Sequence, residues 1–421
     1  KTLIREARKY ATAKKYSLQK EGSVTEVLQI VQNTVKEVEE RFESVETLNS
    51  LGVDVVFGKA VFTNEYTISV GGQVFIGKKF VIATGGNPAP ITTKGFDTFD
   101  YLTNRNIFLP KSLESLIIIG SGPIGCELAQ AFALLGVQVT LVARDKILLN
   151  REDIKASRII EEAFKESGVV VLFNKEIIEG ISEETRKKVV VKDMDSQEQQ
   201  TISADEVLVA VGRVPNVEGM GLDTIGVTYD TRNGIMVNDH AQTNLSHIYA
   251  IGDVASALKF THFANHHAKV ALTHMFFKVI GTVEKEVIPR VTFTTPEVAS
   301  VGISTEKEAQ EKGYFVFSKH YTDIDRAITD GNEVGFFQIV TDRKGYIKGA
   351  TLVGQGSGEL INEIALAMKQ NITIIKLADT IHAYPTYGYG LRSCADQFRA
   401  QSYTKGKKKI LKFILGLKGE N

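Results

Sequence analysis

Tryptophan is absent from this 421-residue sequence, cysteine occurs only twice, and neither charge is in excess. Cys126 and Cys394 are too few for a disulfide framework, and such low cysteine use is typical of a reducing compartment, so we expect a cytoplasmic protein. Lysine plus arginine and aspartate plus glutamate each number 50, which leaves no basic field to recruit nucleic acid. These absences exclude a disulfide-stapled domain and make a nucleic-acid partner unexpected.

A long uninterrupted apolar run is also lacking. The most apolar stretch, residues 116–143, contains several glycines, Pro123 and Glu127, which a membrane-spanning helix would not normally carry in its middle. The stretch is therefore predicted to fold as a strand, a turn, a helix and a second strand. No signal peptide is visible ahead of the helical pattern that opens the sequence at Lys1.

The periodicities that are present predict an α/β chain. Apolar residues recur at three- and four-residue steps between positions 24 and 48, as on one face of a long helix packed against a sheet. Residues 57–81 alternate short apolar runs with glycines, the pattern of a small antiparallel meander. Further helices are predicted over 153–167 and about 262–277, with strands at 169–173 and 206–211, two meander strands between them, and a buried strand ending at 251. From position 291, antiparallel strands and two amphipathic helices indicate a separate α+β domain.

A glycine-rich motif stands at the end of the first strand of the apolar stretch, where residues 116–125 read LIIIGSGPIG. In G-x-G-x-x-G, Gly120 permits the tight turn, Gly122 lets the backbone approach a diphosphate, and Gly125 allows close packing of helix on strand. The diphosphate would lie at the helix N-terminus, where free N–H groups and the helix dipole favour an anion. Because a strand precedes the motif and a helix follows it, the sequence predicts dinucleotide binding. The residues of this predicted site are Gly120, Gly122, Pro123, Ile124 and Gly125.

The coenzyme is read by a residue expected about 20 positions further on, at the end of the second strand. NAD enzymes place an acid there, whereas this sequence has Ala143 followed by Arg144. A guanidinium suits a 2′-phosphate, so Arg144 favours NADPH over NADH. A one-residue shift would instead bring Asp145 to the ribose, and Arg144 would then be a solvated surface residue.

Three further segments carry a family resemblance: ATGGNP at 83–88, AVGRVPN at 210–216 and IYAIGD at 248–253. With GSGPIGCELAQ at 120–130, their order and spacing closely resemble the pyridine nucleotide–disulfide oxidoreductases. That family includes dihydrolipoamide dehydrogenase, glutathione reductase and mercuric reductase. The resemblance implies an α/β fold with two Rossmann-like dinucleotide-binding domains, for FAD and NAD(P), and a C-terminal α+β dimerisation domain.

The resemblance also implies where the domains begin and end. Residues 1–109 would form the first part of the FAD-binding domain, without its N-terminal βα unit, and 110–230 the NAD(P)-binding domain. Residues 231–286 would complete the FAD-binding domain. Residues 287–421 would form the dimerisation domain, so a homodimer is expected.

The positions of the motifs assign a group of residues to the cofactors. Asp253, at a strand C-terminus, would accept a hydrogen bond from the ribityl chain of FAD, the alternative being a helix N-cap. His262 lies in the segment that resembles the one under the isoalloxazine, where a helix N-terminus would stabilise negative charge on a reduced flavin. The cofactor residues implied in this way are Thr84, Gly85, Gly86, Gly212, Arg213, Asp253 and His262.

Two pairs of residues are implied in catalysis. Glu127 resembles the glutamate that pairs with a lysine beside the flavin N5, and Lys1 is the only candidate for that lysine. In disulfide reductases, a His–Glu dyad in an H-P-x-x-x-E segment acts as acid and base on a substrate thiol. Tyr384 and Tyr389 stand at those two positions here, and a phenol with its usual pKa of about 10 is a poor base at neutral pH. His382, two residues before Tyr384, is expected to be structural.

Other family features have no counterpart in the sequence. The strand with the FAD-binding G-x-G-x-x-G and the C-x4-C redox disulfide would precede Lys1, so we expect a chain that starts part-way through a longer protein and binds FAD poorly. The C-terminal cysteine pair that captures the metal ion in mercuric reductases is also missing. Because a soft metal needs thiolate ligands, no metal site is predicted.

The sequence therefore predicts an FAD-dependent NADPH oxidoreductase that passes hydride through flavin to a disulfide or another small acceptor. Segments 143–144, 260–262 and 325–327 favour the mercuric reductase-like branch of the family. Dihydrolipoamide dehydrogenase is the second possibility, disfavoured by Tyr384, and an inactive nucleotide-binding dimer scaffold is the third.

The last segment, KGKKKILKFILGLK at residues 405–418, is basic and apolar. It is too short to span a bilayer, but a short helix of this composition can lie on an anionic membrane surface. The alternative is a helix packed on the dimerisation domain or a frayed end.

Overall fold

The computed structural model describes residues 1–15, 23–183, 186–278, 281–402 and 414–415. The helices in these ranges are α1 Thr2–Lys15, α2 Val24–Phe42, α3 Val45–Ser50, α4 Pro123–Leu134, α5 Ile154–Ser167, α6 Leu222–Ile225, α7 Thr261–Phe277, α8 Glu306–Glu311, α9 Asp325–Asp330, α10 Ser357–Lys369, α11 Ile374–Asp379 and α12 Gly388–Ser402. The strands are β1 Ala60–Asn64, β2 Thr67–Val70, β3 Gln73–Ile76, β4 Phe80–Ile82, β5 Gly86–Pro88, β6 Ser115–Ile119, β7 Gln138–Val142, β8 Val170–Leu172, β9 Lys175–Ser182, β10 Lys187–Asp193, β11 Gln199–Ala204, β12 Glu206–Val209, β13 Arg213–Pro215, β14 Tyr229–Asp230, β15 Gly234–Ile235, β16 Ile248–Ala250, β17 Arg290–Thr292, β18 Glu297–Gly302, β19 Phe315–His320, β20 Phe336–Thr341 and β21 Ile347–Gly354.

The chain divides into two units, each built from separate segments. Unit 1 comprises Lys1–Gly125, Leu134–Arg144 and Asn174–Lys285, and unit 2 comprises Cys126–Ala133, Asp145–Phe173 and Glu286–Asn421. This division is not the same as the four successive segments expected from the sequence, whose boundaries stay predictions.

The apolar stretch in the middle of the sequence folds as predicted. Every residue of β6 is buried, and β6 pairs in parallel with β7 and β12, so that Ile118 lies opposite both Leu141 and Leu208. Central parallel strands are covered on both faces and therefore read as continuous apolar runs. That burial explains why Leu116 to Ile119 show no alternation.

The other strands of unit 1 form small sheets. Strands β1 to β3 form the predicted antiparallel meander, and β4 pairs in parallel with β16, the buried strand predicted to end at residue 251. Strands β9, β10 and β11 form a second antiparallel sheet, where the sequence had predicted two strands. The third strand, β11, carries mostly exposed polar residues, so it lacked the apolar signal of a strand.

The prediction of one long helix over residues 24–48, packed against a sheet, is wrong in two respects. The structure has α2 and α3 there, because Ser44 caps a new helix with its side chain. The apolar face of α2 contacts α1, and its buried residues all lie in its first half, whereas Val35 and Val38 are exposed. Periodicity therefore identified the helical segment but not its interruption or the extent of its burial.

Unit 2 contains the predicted α+β region. Its antiparallel sheet has the strand order β17-β18-β21-β20-β19, and α10 and α12 contact it. Buried residues such as Phe317, Phe337 and Leu352 form the core between these elements. The described part of this region holds α8 to α12, more helices than the two that were predicted, because the short α8, α9 and α11 have too few turns to display a periodicity.

No helix in the described ranges is both long and apolar enough to cross a bilayer. Of the basic apolar tail, only Ile414 and Leu415 are described, and both are more than half exposed. The prediction of a membrane-surface helix therefore falls outside the described residues.

Both cysteines are fully buried, and neither is in a disulfide. Burial raises the pKa of the Cys126 thiol and raises that of Cys394 to about 12. Because the thiolate is the reactive form of cysteine, the native chain should not react with a water-soluble disulfide reagent at mildly alkaline pH. The same reagent should titrate both thiols in guanidinium chloride. Rapid reaction of either thiol before unfolding would contradict the burial described here.

Candidate functional site

Two glycines of the nucleotide-binding motif are required by the fold itself. At Gly120 the φ angle is +114°, and a Cβ atom would lie 2.5 Å from the carbonyl oxygen of Ala210. A Cβ on Gly125 would lie 1.8 Å from the carbonyl oxygen of Gly120. Any larger residue at either position would therefore push apart the turn between β6 and α4.

Gly122 differs, because a Cβ there would meet no atom within 4 Å. The packing of the chain does not require a glycine at this position. The space beside Gly122, next to the first turn of α4, is open. Pro123 begins that helix, where a missing N–H costs nothing. The unpaired N–H groups and the dipole of a helix start favour an anion, so the residues present fit the diphosphate of a dinucleotide.

The strand that should read the ribose ends as the sequence predicted. Strand β7 ends at Val142, followed by Ala143, which is buried, and Arg144, which is exposed. The carboxylate of Asp145 accepts a hydrogen bond of 2.7 Å from the Asn150 side chain. Asp145, the acid that a one-residue shift would bring to the ribose, is therefore hydrogen-bonded to Asn150. Arg144 is the charged side chain that directly follows the buried end of β7.

The segments around Thr84 and Arg213 meet in unit 1. Strand β5 pairs antiparallel with β13, and two hydrogen bonds of 2.8 Å join Thr84 to Asn216. A Cβ on Gly86 would lie 2.8 Å from a carbonyl oxygen of β13, so this contact needs glycine. Gly85 and Gly212 have positive φ angles and open space where a Cβ would lie. The backbone is therefore bare, with open space beside it, at these two positions next to the paired strands.

Asp253 joins the same cluster from the end of β16. Its Oδ2 atom accepts a hydrogen bond of 3.0 Å from Arg213 Nε, and Arg213 donates a second one, of 2.5 Å, to the carbonyl oxygen of Gly86. The Asp253 side chain is 17% exposed. The N-cap positions of the short helical turn at residues 252–254 and of α7 are occupied by Ile251 and Phe260, so the alternative role of helix N-cap is wrong. Three of the predicted cofactor residues are thus brought together.

Lys259 belongs to this cluster although no motif pointed to it. Its Nζ atom donates a hydrogen bond of 2.5 Å to the backbone carbonyl of Asp253. Burial lowers the pKa of Lys259, and the nearby Asp253 carboxylate opposes that shift. His262 follows in the first turn of α7, with its ring stacked on Phe260 at a centroid distance of 5.2 Å. Two cations, Arg213 and Lys259, therefore lie beside Asp253.

Glu127 is half-buried in unit 2, where its carboxylate accepts a hydrogen bond of 2.8 Å from the backbone N–H of Phe293. Gln130, one turn later on α4, exchanges two hydrogen bonds of 2.6 Å with the backbone of Thr295. The alternative of a glutamate in open solvent is therefore wrong. Lys1 is exposed and belongs to unit 1, so its pairing with Glu127 stays a prediction.

The tyrosine-rich loop, residues 380–387 between α11 and α12, contains Tyr384 of the predicted catalytic pair, and Tyr389 lies in the first turn of α12. The Tyr384 hydroxyl donates a hydrogen bond of 2.5 Å to Asp325 Oδ2, and the ring of Tyr384 meets Tyr389 edge-on at 5.6 Å between centroids. The Tyr387 hydroxyl donates one of 3.0 Å to Asp330 Oδ2. The bond to Asp325 raises the pKa of Tyr384, and burial and the bond to Asp330 raise that of Tyr387. Both phenols therefore stay protonated to more alkaline pH than usual.

His382 holds the same loop from its other side. One ring nitrogen lies 2.9 Å from the carbonyl oxygen of Thr380 and the other lies 2.9 Å from the carboxylate of Glu363 on α10. Only 9% of the His382 side chain is exposed, which favours the structural role predicted for it. Sequence reasoning missed Glu363 and the two aspartates of α9, because the aspartates precede their tyrosines by 59 and 57 residues, and no local pattern connects them.

The chain is similar to known proteins over most of its length. The family described as pyridine nucleotide-disulphide oxidoreductase matches residues 2–268, and the dimerisation domain of the same family matches residues 288–393. A mercuric reductase of Lysinibacillus sphaericus is 33% identical over 360 residues, which are 84% of this chain and 65% of that protein. A dihydrolipoyl dehydrogenase of Mycobacterium leprae is 34% identical over 319 residues, which are 75% of this chain and 68% of that protein. The chain thus spans about two thirds of the length of these relatives.

Solved structures give the same fold. LpdA from Mycobacterium tuberculosis has a TM-score of 0.84 at 25% identity, with 94% of this chain and 88% of that chain covered. The flavoprotein disulfide reductase RclA from Escherichia coli has a TM-score of 0.83 at 24% identity, with the same coverage. At 24% identity, the likeness to RclA shows the fold alone.

The ion pair between Arg213 and Asp253 should contribute measurably to stability. We expect Arg213→Ala to lower the free energy of unfolding in urea by about 2 kcal/mol, because it removes one charge-assisted hydrogen bond to the largely buried Asp253 carboxylate and another to the carbonyl oxygen of Gly86. A double-mutant cycle with Asp253→Asn should return a coupling energy of about 1 kcal/mol or more. Arg232→Ala, at an exposed arginine of unit 1, is the control and should change stability by less than about 0.5 kcal/mol. Additive effects of the two cluster substitutions would refute the interaction.

Proposed function

The chain belongs to the pyridine nucleotide-disulphide oxidoreductase family, and from this membership we propose that it is an FAD-dependent oxidoreductase that draws hydride from NADPH. The electrons pass to a disulfide or another small acceptor. The observation that carries the proposal is the open space at Gly122, between two glycines that the fold itself requires.

NADPH is the proposed coenzyme because of the residues at the end of β7. The diphosphate would bind at the start of α4, and the exposed guanidinium of Arg144 would pair with the 2′-phosphate of the adenosine ribose. Ala143 offers a methyl group where an NAD-specific enzyme would place an acid. Asn150 engages the neighbouring Asp145, which supports Arg144 as the residue that reads the ribose.

FAD is the proposed second cofactor, and when bound it would accept a hydride and pass electrons on singly or in pairs. The bare backbone at Gly85 and Gly212 would let a flat dinucleotide approach closely. Asp253 would accept a hydrogen bond from its polyol chain through the carboxylate oxygen that Arg213 Nε does not contact. The nearby cations of Arg213 and Lys259 favour negative charge at this site.

The acceptor site is proposed to include Tyr384 and Tyr389. These residues replace the His–Glu dyad of disulfide reductases, so a phenol rather than an imidazole would meet the acceptor. A protonated phenol hydrogen-bonds without taking a proton from a thiol at neutral pH. This difference favours a mercuric reductase-like enzyme over a dihydrolipoamide dehydrogenase, although proteins of both names are among the relatives.

Reduction of the flavin tests the proposal. NADPH should bleach the visible absorbance of FAD held by the chain under anaerobic conditions, with FAD supplied in excess because the sequence predicts weak FAD binding, and NADH should do so only at higher concentration. Arg144→Ala should weaken NADPH binding by about 1.5–3 kcal/mol, the range for hydrogen bonds to charged groups, and should leave NADH nearly unchanged. Arg158→Ala, at an exposed arginine of α5, is the control. A wild-type chain that prefers NADH would refute the coenzyme assignment, and one that no nicotinamide coenzyme reduces would refute the function.

A homodimer formed through residues 288–393 is the proposed assembly, since this range matches the dimerisation domain of the family. Ile381 lies in the range and is 95% exposed, as expected for an apolar residue that a partner subunit covers. Ile381→Asp should therefore weaken the dimer in sedimentation at micromolar concentration. Ile76→Asp is the matched control, because Ile76 is 84% exposed but lies outside the range. A monomeric wild-type chain would contradict the proposal.

A further inference from the structure

Two phenol–carboxylate hydrogen bonds fasten the tyrosine-rich loop to the short helix α9. Tyr384 donates to Asp325 at the start of that helix, and Tyr387 donates to Asp330 at its end. The oxygen–oxygen distance of 2.5 Å between Tyr384 and Asp325 lies in the range of charge-assisted O–H···O⁻ bonds. The distance of 3.0 Å between Tyr387 and Asp330 is longer than that range. Tyr384 is thus held by the stronger of the two bonds.

The two tyrosines differ in what they present to solvent. The ring of Tyr387 stacks on the buried Tyr321 at 5.4 Å between centroids, and its carboxylate partner Asp330 is shared with Arg326. Tyr384 is 65% exposed, and beside it the ring of Tyr389 lies edge-on. Tyr384 is therefore the member of the pair whose oxygen a ligand can reach.

The bond to Asp325 decides which kind of hydrogen bond Tyr384 can make with that ligand. A phenol has one hydrogen to donate and an oxygen that also accepts. Because the hydrogen points at a carboxylate, the oxygen can only accept from a further partner. A carboxylate that receives a hydrogen bond also makes the donor oxygen more electron-rich, which strengthens its acceptance of a second bond.

We propose that Asp325 is a positioning residue that keeps the hydrogen of Tyr384 turned toward α9, so that the loop offers an acceptor oxygen and selects ligands with a donor hydrogen at that point. The inference rests on the proposed function, in which Tyr384 meets the electron acceptor. A disulfide or a quinone carries no such hydrogen, whereas the dithiol or quinol formed from it by two electrons and two protons does. Tyr384 therefore binds the reduced form of the acceptor more tightly than the oxidised form.

The hydrogen bond between Tyr384 and Asp325 can be tested without coenzyme or turnover, through the ionisation of the Tyr384 phenol. With isotope-labelled tyrosine, the Cζ signal that disappears in Tyr384→Phe reports the ionisation of this phenol alone. Asp325→Asn should move its titration midpoint down toward the usual value of about 10, because the carboxylate no longer favours the neutral phenol, and should leave Tyr387 unchanged. Asp330→Asn is the matched control and should move Tyr387 instead.

Asp325→Ala provides a second variant, since alanine is a good helix former at the start of α9, and circular dichroism would check that each variant is folded. A Tyr384 midpoint that is the same in the wild type and in both Asp325 variants would overturn the proposal.

Ligand selection is tested with two pairs of probes in which each donor hydrogen of one member is replaced by a methyl group in the other, and Asp325→Ala controls for the added bulk. Hydroquinone and its dimethyl ether represent the quinol case, and propanedithiol and its bis-methyl thioether represent the thiol case. Binding is followed at neutral pH by the Cζ shift of Tyr384. The hydrogen-bearing member of at least one pair should bind about tenfold more tightly, which corresponds to one hydrogen bond, and the pair that shows it identifies the acceptor class.

In Asp325→Ala, the ratio of the two affinities within a pair should fall toward one, because the freed phenol can then donate to an ether oxygen or a thioether sulfur. Equal binding within both pairs in the wild type, or a preference that survives Asp325→Ala unchanged, would overturn the inference. These experiments require neither flavin nor NADPH. A chain whose flavin no coenzyme reduces would thus refute the proposed function and leave the result on Asp325 standing.

Discussion

The contact between Gly125 and the carbonyl oxygen of Gly120 is the constraint on which the nucleotide-binding half of this protein depends. A methyl group at Gly125 would lie 1.8 Å from that oxygen, well inside any van der Waals distance. Because glycine has no Cβ, the backbone at Gly125 can lie against the Gly120 carbonyl oxygen, which allows the chain to turn sharply after β6 and start α4 at once. The turn brings the start of α4 beside Gly122, where the space is open. A packing requirement thus creates the open space in which we propose that a diphosphate binds.

Polar side chains, rather than further apolar contacts, fix the other functional elements. Arg213 connects a carboxylate at the end of β16 to the backbone of β5, so two motifs far apart in sequence are held at one point. In unit 2, the tyrosine-rich loop has no regular structure of its own and is tied to α9 and α10 by hydrogen bonds to three acidic residues. Each bond has a direction, so it determines which atoms remain for a ligand as well as where the loop lies. That is why Tyr384 offers an oxygen and not a hydrogen.

Sequence reasoning succeeded where the physical requirement is local. The buried run of β6 and the glycines after it predicted a strand, a turn and a helix, because burial on both faces and a positive φ angle leave few residue types to choose from. It failed where tertiary contacts compete with local preference. The apolar pattern of residues 24–48 continued through the break at Ser44, and nothing in it distinguished the buried first half of α2 from the exposed second half. Strand β11, exposed and polar, gave no signal at all.

The sequence by itself predicted a dinucleotide site at Gly122 from residue types at a fixed short spacing, and its family resemblance implied the two-nucleotide architecture and the replacement of an imidazole by the phenol of Tyr384. Only the tertiary structure decided what those groups are bonded to. Asp325 and Glu363 lie 59 and 19 residues from their partners in the tyrosine-rich loop, and Arg213 and Asp253 are 40 residues apart. Hydrogen bonds at such separations depend on how helices and strands pack, and a linear pattern of residues carries no record of that packing. The chemical character of the site therefore came from the sequence, and its orientation came from the fold.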